Sequence, residues 1–457
     1  MSFEGEFAHY EPLRRIFSNE KVQKFLDELQ VQDISSQADI VLGKVIKKTD
    51  LPVTNNQQPD LILAIDGSVA EGTVNKGFPS ANFGCITVAS VLMDLKKIRV
   101  IEQQKFPNPQ DVVDTESASS IEAIFPGCNV IRQGEKDAKS YFRKTLYEEL
   151  KNNYAFPNGG ESLLETYEYL LDIKCNQLGG MGRLPKSPID GVDEDMTVQY
   201  GEYPCPYTGE PLYSTDALRL HELLNPSGTN GELFGQVMAT FEKLWFVNVL
   251  RSFEKKNWLA TLRRVAFFVD GPLAVFSTSS WLAKSITVEL RRLNKLQKEI
   301  NHQDMIILGV EKSGTFFNHF QDLDMNKEGV VDYFPREAAL LLDDEYIKKH
   351  IEFSESTKPY GEDTYFGRKF FYKASSGQKI VPVIASYSDY ERDILTALPE
   401  QFSRLRDVMD LLDQLVSSRY QNSITPLISA HAEAAIPFNL GQKLFEQIAR
   451  EIREKGQ

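Results

Sequence analysis

Two apolar runs that each end in Asp-Gly constrain the fold of this 457-residue chain more than any other feature. The first reads Leu-Ile-Leu-Ala-Ile before Asp66-Gly67, and the second reads Val-Ala-Phe-Phe-Val before Asp270-Gly271. Such short runs are typical of buried strands. An aspartate that closes a strand lies at the rim of an α/β sheet, where ligands gather, and the glycine lets a phosphate approach the backbone. Asp-Gly is also ordinary turn chemistry, but its repetition on two strong strands favours a site.

The rest of the chain alternates strand-like and helical segments, which predicts an α/β fold. A long helix is expected from about Glu232 to Phe253, ahead of the second Asp-Gly strand. We predict a helical N-terminal extension over residues 1–55 and one core domain over 56–457. The stretch from about 175 to 230 is rich in Gly and Pro and is interpreted as an insertion or binding loop.

Two aspartates rarely suffice for a hard divalent cation, so a third carboxylate is expected. Glu242 is the best candidate, because Met238, Trp245 and Val249 place it on an apolar helical stripe. A carboxylate there costs free energy unless it is paired or bound to a metal. A buried ion pair with Lys or Arg is the alternative for Glu242. Its competitor, Glu254, lies beyond the apolar stretch.

Three carboxylates of this kind suit hydrolysis of a phosphodiester. Two cations held close together can activate water and stabilise the leaving oxygen in an in-line displacement. Asp66 and Asp270 would bridge or flank the ions, and Glu242 would complete the cage.

Two further segments carry cations. In Gly-Val-Glu-Lys312-Ser-Gly, a lysine follows an apolar strand and could contact a phosphate oxygen, although an ordinary surface lysine gives the same pattern. Aromatic and basic residues alternate from Tyr365 through Arg368 and Lys369 to Lys373. This alternation suits a strand that stacks bases and contacts DNA phosphates, and equally a strand with one core face.

Bulk composition places some limits on function. The net charge of −14 argues at first sight against nucleic acid, although a basic groove can lie within an acidic total. Four scattered cysteines do not suit a disulfide scaffold. The sequence shows no membrane span and no signal peptide, so a cytoplasmic protein is expected.

The ordered set of motifs resembles the NurA nuclease family. The resemblance rests on AIDGS at Asp66, FVDGPLAVF at Asp270, GVEKSG at Lys312, DTYFGRKFFYK, and TPLISAHAEAAI at His431. It implies an RNase H-like core with a mixed central sheet flanked by helices, manganese-dependent (or magnesium-dependent) DNA cleavage, a homodimer, and association with a hexameric HerA-type ATPase. The roles it implies are metal binding by Asp66, Glu242 and Asp270, and assistance near the phosphate by Tyr420 and His431.

Two other functions stay open at this point. The first is an actin-like or sugar-kinase-like ATP-dependent phosphotransferase, since Asp66-Gly67-Ser68 also suits the first strand of that fold. The second is a catalytically inactive DNA-end adaptor of an ATPase complex. DNA end processing and defence against phage are both compatible with a nuclease.

Overall fold

The computed structural model describes residues 11–29, 43–74, 78, 81–102, 116–156, 160–181, 185–325, 332–416 and 423–435. The strands are β1 (Ile46–Lys47), β2 (Leu61–Thr73), β3 (Asn82–Asp94), β4 (Glu116–Pro126), β5 (Glu202–Pro204), β6 (Pro211–Tyr213), β7 (Val265–Asp270), β8 (Ile306–Glu311), β9 (Ala338–Leu341), β10 (Gly367–Lys373) and β11 (Lys379–Ala385). The α-helices are α1 (Glu11–Phe17), α2 (Glu20–Glu28), α3 (Leu95–Glu102), α4 (Ala138–Asn152), α5 (Leu163–Asp172), α6 (Gly231–Lys255), α7 (Leu282–Asn301), α8 (Thr315–Leu323), α9 (Asp344–His350), α10 (Asp389–Arg392), α11 (Leu405–Leu415) and α12 (Thr425–Ala434).

A single nine-stranded mixed sheet organises the described chain, in the order β1-β9-β10-β11-β8-β7-β2-β3-β4. The pairs β2/β7 and β7/β8 are parallel, and the other neighbours are antiparallel. Helices cover both faces. The predicted α/β class and the mixed central sheet flanked by helices are confirmed. The RNase H-like label stays an expectation.

The two faces of the sheet bury separate hydrophobic clusters. Alternation along β2 sends Leu63 and Ile65 into the larger cluster, where they meet helix α6. Ile62 and Ala64 face the other way, into a cluster closed by α11 and α12. Asp66 follows Ile62 and Ala64 in this alternation. Its side chain therefore lies on the face of the sheet that α12 covers.

Helix α6 is the central helix of the larger cluster. It runs for 25 residues, with Glu232 in its first turn and Lys255 in its last, as the helix dipole favours. Its middle is buried on every side, which is the pattern of an interior helix. A charged residue in the middle of α6 is therefore carried into the core. No helix in the described residues is long and apolar enough to cross a membrane.

The N-terminal region is not helical throughout. Among its described residues, α1 and α2 are helical, whereas Ile46–Lys47 forms β1, which pairs with β9 at the edge of the sheet. Leu51 is buried in the cluster under α11. The end of the predicted extension is therefore part of the core domain.

The region from 175 to 230 is more ordered than a binding loop. Its described residues form the β5–β6 hairpin and 3-10 helices at Ser214–Leu218 and Leu220–Leu223. Leu212, Leu218 and Leu220 are buried in the larger cluster. Sequence reasoning missed this packing because the apolar residues are isolated between Gly and Pro.

The same region is anchored by a buried ion pair. Arg143 of α4 donates from Nε to Asp216 Oδ1 at 2.7 Å and from Nη2 to Oδ2 at 2.6 Å. We predict that Asp216→Asn lowers the free energy of unfolding by about 3–5 kcal/mol, because it leaves a buried guanidinium without its counter-charge. Urea unfolding followed by circular dichroism measures the loss.

The matched control is Lys349→Ala. It removes an exposed ion pair with Glu345 on α9, so the unfolding midpoint should not move. If Asp216→Asn unfolds at the same urea concentration as this control, the region does not depend on Arg143.

Candidate functional site

The register of two parallel strands brings the predicted aspartates together. Leu61 to Ile65 of β2 pair in order with Val265 to Val269 of β7. The next position in this register places Asp66 beside Asp270. Neighbouring residues in a parallel pair point to the same face of the sheet, so the two carboxylates are drawn together by the backbone alone.

The two Asp-Gly pairs differ in backbone structure. Asp66-Gly67 lies inside β2, which continues to Thr73, so the predicted strand end at Ile65 is wrong and there is no turn here. β7 does end at Asp270, and Gly271 has a φ of +71°, a conformation that favours glycine. The chain leaves the sheet at Gly271 while β2 runs on. Beyond Asp270, the edge of β2 has no parallel neighbour, and the carboxylates lie close together beside this open edge.

Glu242 approaches this open edge from helix α6. A Cβ atom on Gly67 would lie 2.6 Å from Glu242 Oε1 and 2.8 Å from Met238 Cγ. The missing side chain of Gly67 is therefore the space that the Glu242 carboxylate occupies. A cavity of about 240 Å³ is lined by Asp66, Glu242 and Asp270 among others.

The structure separates Glu242 from its competitor. Glu254 lies near the end of α6 and pairs with Arg292 of α7, at 2.6 Å and 2.8 Å, away from the cavity. Glu242 lines the cavity and has a cation nearby, since Lys243 Nζ lies 3.5 Å from Glu242 Oε2. Both alternatives for Glu242 are thus present together: it faces the aspartates and it has a buried lysine beside it.

Lys243 is a site residue that sequence reasoning missed. It is buried and lines the cavity. A signal existed, because Lys243 lies in the same apolar stretch as Glu242, and the burial argument for a carboxylate applies equally to an ammonium group.

Burial and mutual repulsion dominate the electrostatics of the carboxylates. Asp66 is 2% exposed, and burial together with the charge of Asp270 raises its pKa to about 7. Glu242 is 5% exposed, and its pKa is raised to about 7 because burial and the charges of Asp66 and Asp270 outweigh the opposing effect of Lys243. Without a cation, the site therefore favours the neutral form of both carboxyl groups more than water does.

His431 and Tyr420 were expected near the carboxylates. His431 of α12 places Nδ1 3.0 Å from Asp66 Oδ2, and its side chain is 60% exposed. The histidine thus links the buried aspartate to solvent. Tyr420 lies outside the described residues.

Lys312 also reaches the site. It follows β8, and its Nζ lies 2.7 Å from Asp270 Oδ1. Because β8 is the parallel neighbour of β7, the end of β8 is the natural position for a cation beside Asp270.

The aromatic and basic segment divides into two groups. Tyr365 and Lys369 line a second cavity that adjoins the carboxylates. Arg368 is buried and donates to the carbonyls of Leu342, Asp393 and Thr396 among others. Lys373 is fully buried against Asp324 at 2.6 Å. Arg368 and Lys373 therefore lie in the interior of the fold, and the structure does not bring these two predicted DNA contacts to a surface. Residues Arg368 to Lys373 of β10 are all buried, so this strand does not have the one wet face that the alternative interpretation expected either.

The donor set fits a hard divalent cation. Its three carboxyl groups supply the oxygen ligands that such a cation prefers, and a bound cation would favour the ionised form of Asp66 and Glu242. Among the described residues, no three Asp, Glu, His or Cys side chains stand close enough together to coordinate one ion as they are placed. Coordination of one ion by all three carboxylates would therefore need side chains to move from these positions.

Comparisons with known proteins give one family. The NurA domain matches residues 60–436. The crystal structure of the NurA nuclease from Sulfolobus solfataricus aligns at a TM-score of 0.35 and 11% identity, covering 98% of this chain and 97% of that chain. A crystal structure of NurA with manganese aligns at a TM-score of 0.26 and 11% identity, covering 97% of this chain and 98% of that one. No curated protein sequence matches the chain. The family assignment rests on the domain match.

The raised pKa values predict how pH changes the stability of the metal-free protein. A carboxyl group with a folded pKa above its unfolded value stabilises the fold at low pH and loses that contribution as pH rises. For Glu242 the window runs from about 4.5 to about 7. We predict that Glu242→Gln, compared with the unchanged protein in EDTA, gains up to about 3 kcal/mol of relative stability across this window. Urea unfolding at a series of pH values measures it.

Glu254→Gln is the control on the same helix. Arg292 lowers the pKa of Glu254, so its contribution is present above the unfolded pKa and is lost as pH falls. Relative to the unchanged protein, this variant should lose stability as pH rises. Parallel stability curves for Glu242→Gln and the unchanged protein would contradict the raised pKa.

Proposed function

We propose a function from one premise, which is that the chain belongs to the NurA domain family. The protein is a metal-dependent deoxyribonuclease that hydrolyses phosphodiester bonds in DNA. The observation that supports this most strongly is the meeting of Asp66, Asp270 and Glu242 in one cavity beside the end of β7.

Manganese or magnesium would be bound by Asp66, Glu242 and Asp270, and we expect two ions. The ions would supply an activated water and stabilisation of the leaving oxygen. The remaining work falls to the chain. Because the pKa values of Asp66 and Glu242 are raised, each group would give up its proton to serve as a ligand, so cation binding would depend on pH.

The neighbouring side chains have complementary roles. His431 lies at the solvent end of the site, where it orients Asp66 and can pass a proton between that carboxylate and water. Lys312, which is paired with Asp270, would place a positive charge beside the phosphate of a bound strand. Lys243 offsets part of the buried negative charge at Glu242.

The partners belong to the same proposal. We expect a homodimer that acts with a HerA-type hexameric ATPase, in DNA end processing or defence against phage. The net charge of −14 supports a division of labour in which the ATPase gathers the DNA, since phosphate binding is driven by basic surface.

The test is cleavage of labelled linear DNA by the purified chain with manganese, magnesium or EDTA, with and without a HerA-type ATPase. We expect metal-dependent cleavage that Asp66→Ala and Asp270→Ala each reduce by about 100-fold or more, because each removes charge from the cation site. Product analysis on a sequencing gel gives the rates.

Glu254→Gln is the control, since it alters a carboxylate on α6 outside the cavity and should cleave at the unchanged rate. Cleavage that survives both aspartate substitutions would contradict the proposed site. DNA degradation by the ATPase complex that is indifferent to Asp66 would identify the chain as an inactive adaptor, and phosphate transfer from ATP would favour a kinase.

Gly67 gives a sharper test of the geometry, because no catalytic group is removed. We predict that Gly67→Ala reduces cleavage by about 10- to 100-fold, since the added methyl group overlaps Glu242 Oε1 and displaces a metal-binding carboxylate. Comparing rates across manganese concentrations separates a loss of metal affinity from a loss of fold.

The control is Gly235→Ala, which lies on α6, the helix that carries Glu242. A Cβ atom there meets nothing within 4 Å, so the variant should keep full activity and gain up to about 1 kcal/mol of stability. Equal activity of Gly67→Ala and Gly235→Ala would refute the contact between Gly67 and Glu242.

A further inference from the structure

A second cavity opens on the other side of Asp270. Its volume is about 430 Å³, within the range of about 300–1,000 Å³ found for small-molecule pockets. Asp270, Gly271, Pro272 and Phe276 line both this cavity and the carboxylate cavity. Because the two cavities share these residues, one molecule could occupy both of them at once.

Phe276 stands on the boundary between the two cavities. Its side chain is 43% exposed, and its ring makes an edge-to-face contact with Tyr365, with 5.6 Å between centroids. At this exposure, part of the Phe276 side chain is accessible to a ligand. The other phenylalanine of this cavity, Phe316, is buried and has Lys369 Nζ 3.3 Å from its ring centroid.

Backbone hydrogen bonds hold Phe276 in place. Val275 N donates to Thr364 O at 2.9 Å, and Phe366 N donates to Leu273 O at 3.0 Å. The segment after β7 is thereby tied to the segment that carries Tyr365. A backbone held in this way loses little conformational entropy when a ligand binds beside it.

The charges of the second cavity favour an uncharged group over a phosphate. Three carboxylates line it, from Asp270, Glu311 and Glu352, against two lysines. Lys369 is already paired with Glu311 at 2.8 Å, and Lys312 is paired with Asp270. An apolar, planar group suits this lining better than an anion does.

We propose that the second cavity receives one unpaired nucleobase, stacked on Phe276, from the strand whose phosphodiester lies at the carboxylates. The inference rests on the proposed nuclease function. A base inside a duplex is stacked on both faces, so it reaches Phe276 only after it leaves the duplex. Phe276 is thus a residue that selects DNA with an unpaired nucleotide next to the cleaved bond.

The first experiment compares kcat/KM on a single-stranded oligonucleotide with one preferred cleavage bond. Phe276→Ala should reduce kcat/KM by about 5- to 100-fold, and Phe276→Tyr should restore it, because a tyrosine ring also stacks. Phe276→Leu keeps an apolar side chain without a ring and should resemble Phe276→Ala. The matched control is Tyr207→Ala, an exposed aromatic residue that lines neither cavity and should cleave at the unchanged rate.

A double-mutant cycle that combines Phe276→Ala with abasic DNA measures the contribution of the base to the cleavage rate. An abasic site at the nucleotide beside the cleaved bond should slow the unchanged protein as much as Phe276→Ala does, and should slow Phe276→Ala no further. Independent effects of the two changes, or full activity of Phe276→Ala, would overturn the proposal.

A readout that does not need cleavage keeps the two proposals apart. 2-Aminopurine is placed in turn at each position of the oligonucleotide, and its fluorescence is followed by stopped flow on mixing with protein and Mg²⁺. Quenching at one position that is lost in Phe276→Ala and kept in Phe276→Tyr supports stacking, whether or not the DNA is cut. Quenching that Phe276→Ala leaves unchanged, or that occurs at no position, overturns it. Absence of cleavage with any metal counts against the nuclease alone.

Discussion

The pairing of β2 with β7 is the constraint on which the rest of the site depends. Two parallel strands in this register place Asp66 and Asp270 side by side, and no loop conformation is needed to do so. A negative charge is costly at the buried Asp66, and the charge of Asp270 adds to that cost, so the pKa of Asp66 rises to about 7. Lys312, Lys243 and His431 surround these carboxylates at the places where β8, α6 and α12 approach.

The unequal lengths of β2 and β7 leave room for the cavity that the carboxylates line. β7 ends at Asp270, whereas β2 continues to Thr73, so one side of β2 loses its parallel neighbour beyond Ile65. Glu242 enters from the α6 face against Gly67, and His431 approaches Asp66 from the α12 face. Groups from both sides of a sheet meet at one point, which a sheet of equal strands would prevent. The same strand end directs the chain to Phe276 and the second cavity.

Much of the fold and part of the candidate site can be predicted from local sequence patterns. The α/β class, the strands before Asp66 and Asp270, the helix around Glu242 and the family resemblance all follow from short segments, because burial periodicity is a property of consecutive residues. The segment from Tyr365 to Lys373 shows the limit. Its alternation is compatible with a DNA-facing strand and with a strand that has one core face. The structure buries Lys373 against Asp324 and Arg368 against the 391–396 region.

The sequence by itself determined which residues are costly to bury: two aspartates after apolar runs, and a glutamate on an apolar helical stripe. The tertiary structure alone decided which of them meet. The choice of Glu242 over Glu254, the cation of Lys243, the contact at Gly67 and the exposed ring of Phe276 all depend on strand register and helix packing across distant parts of the chain. Contacts of that kind depend on how whole elements fit together, and no local pattern encodes that fit.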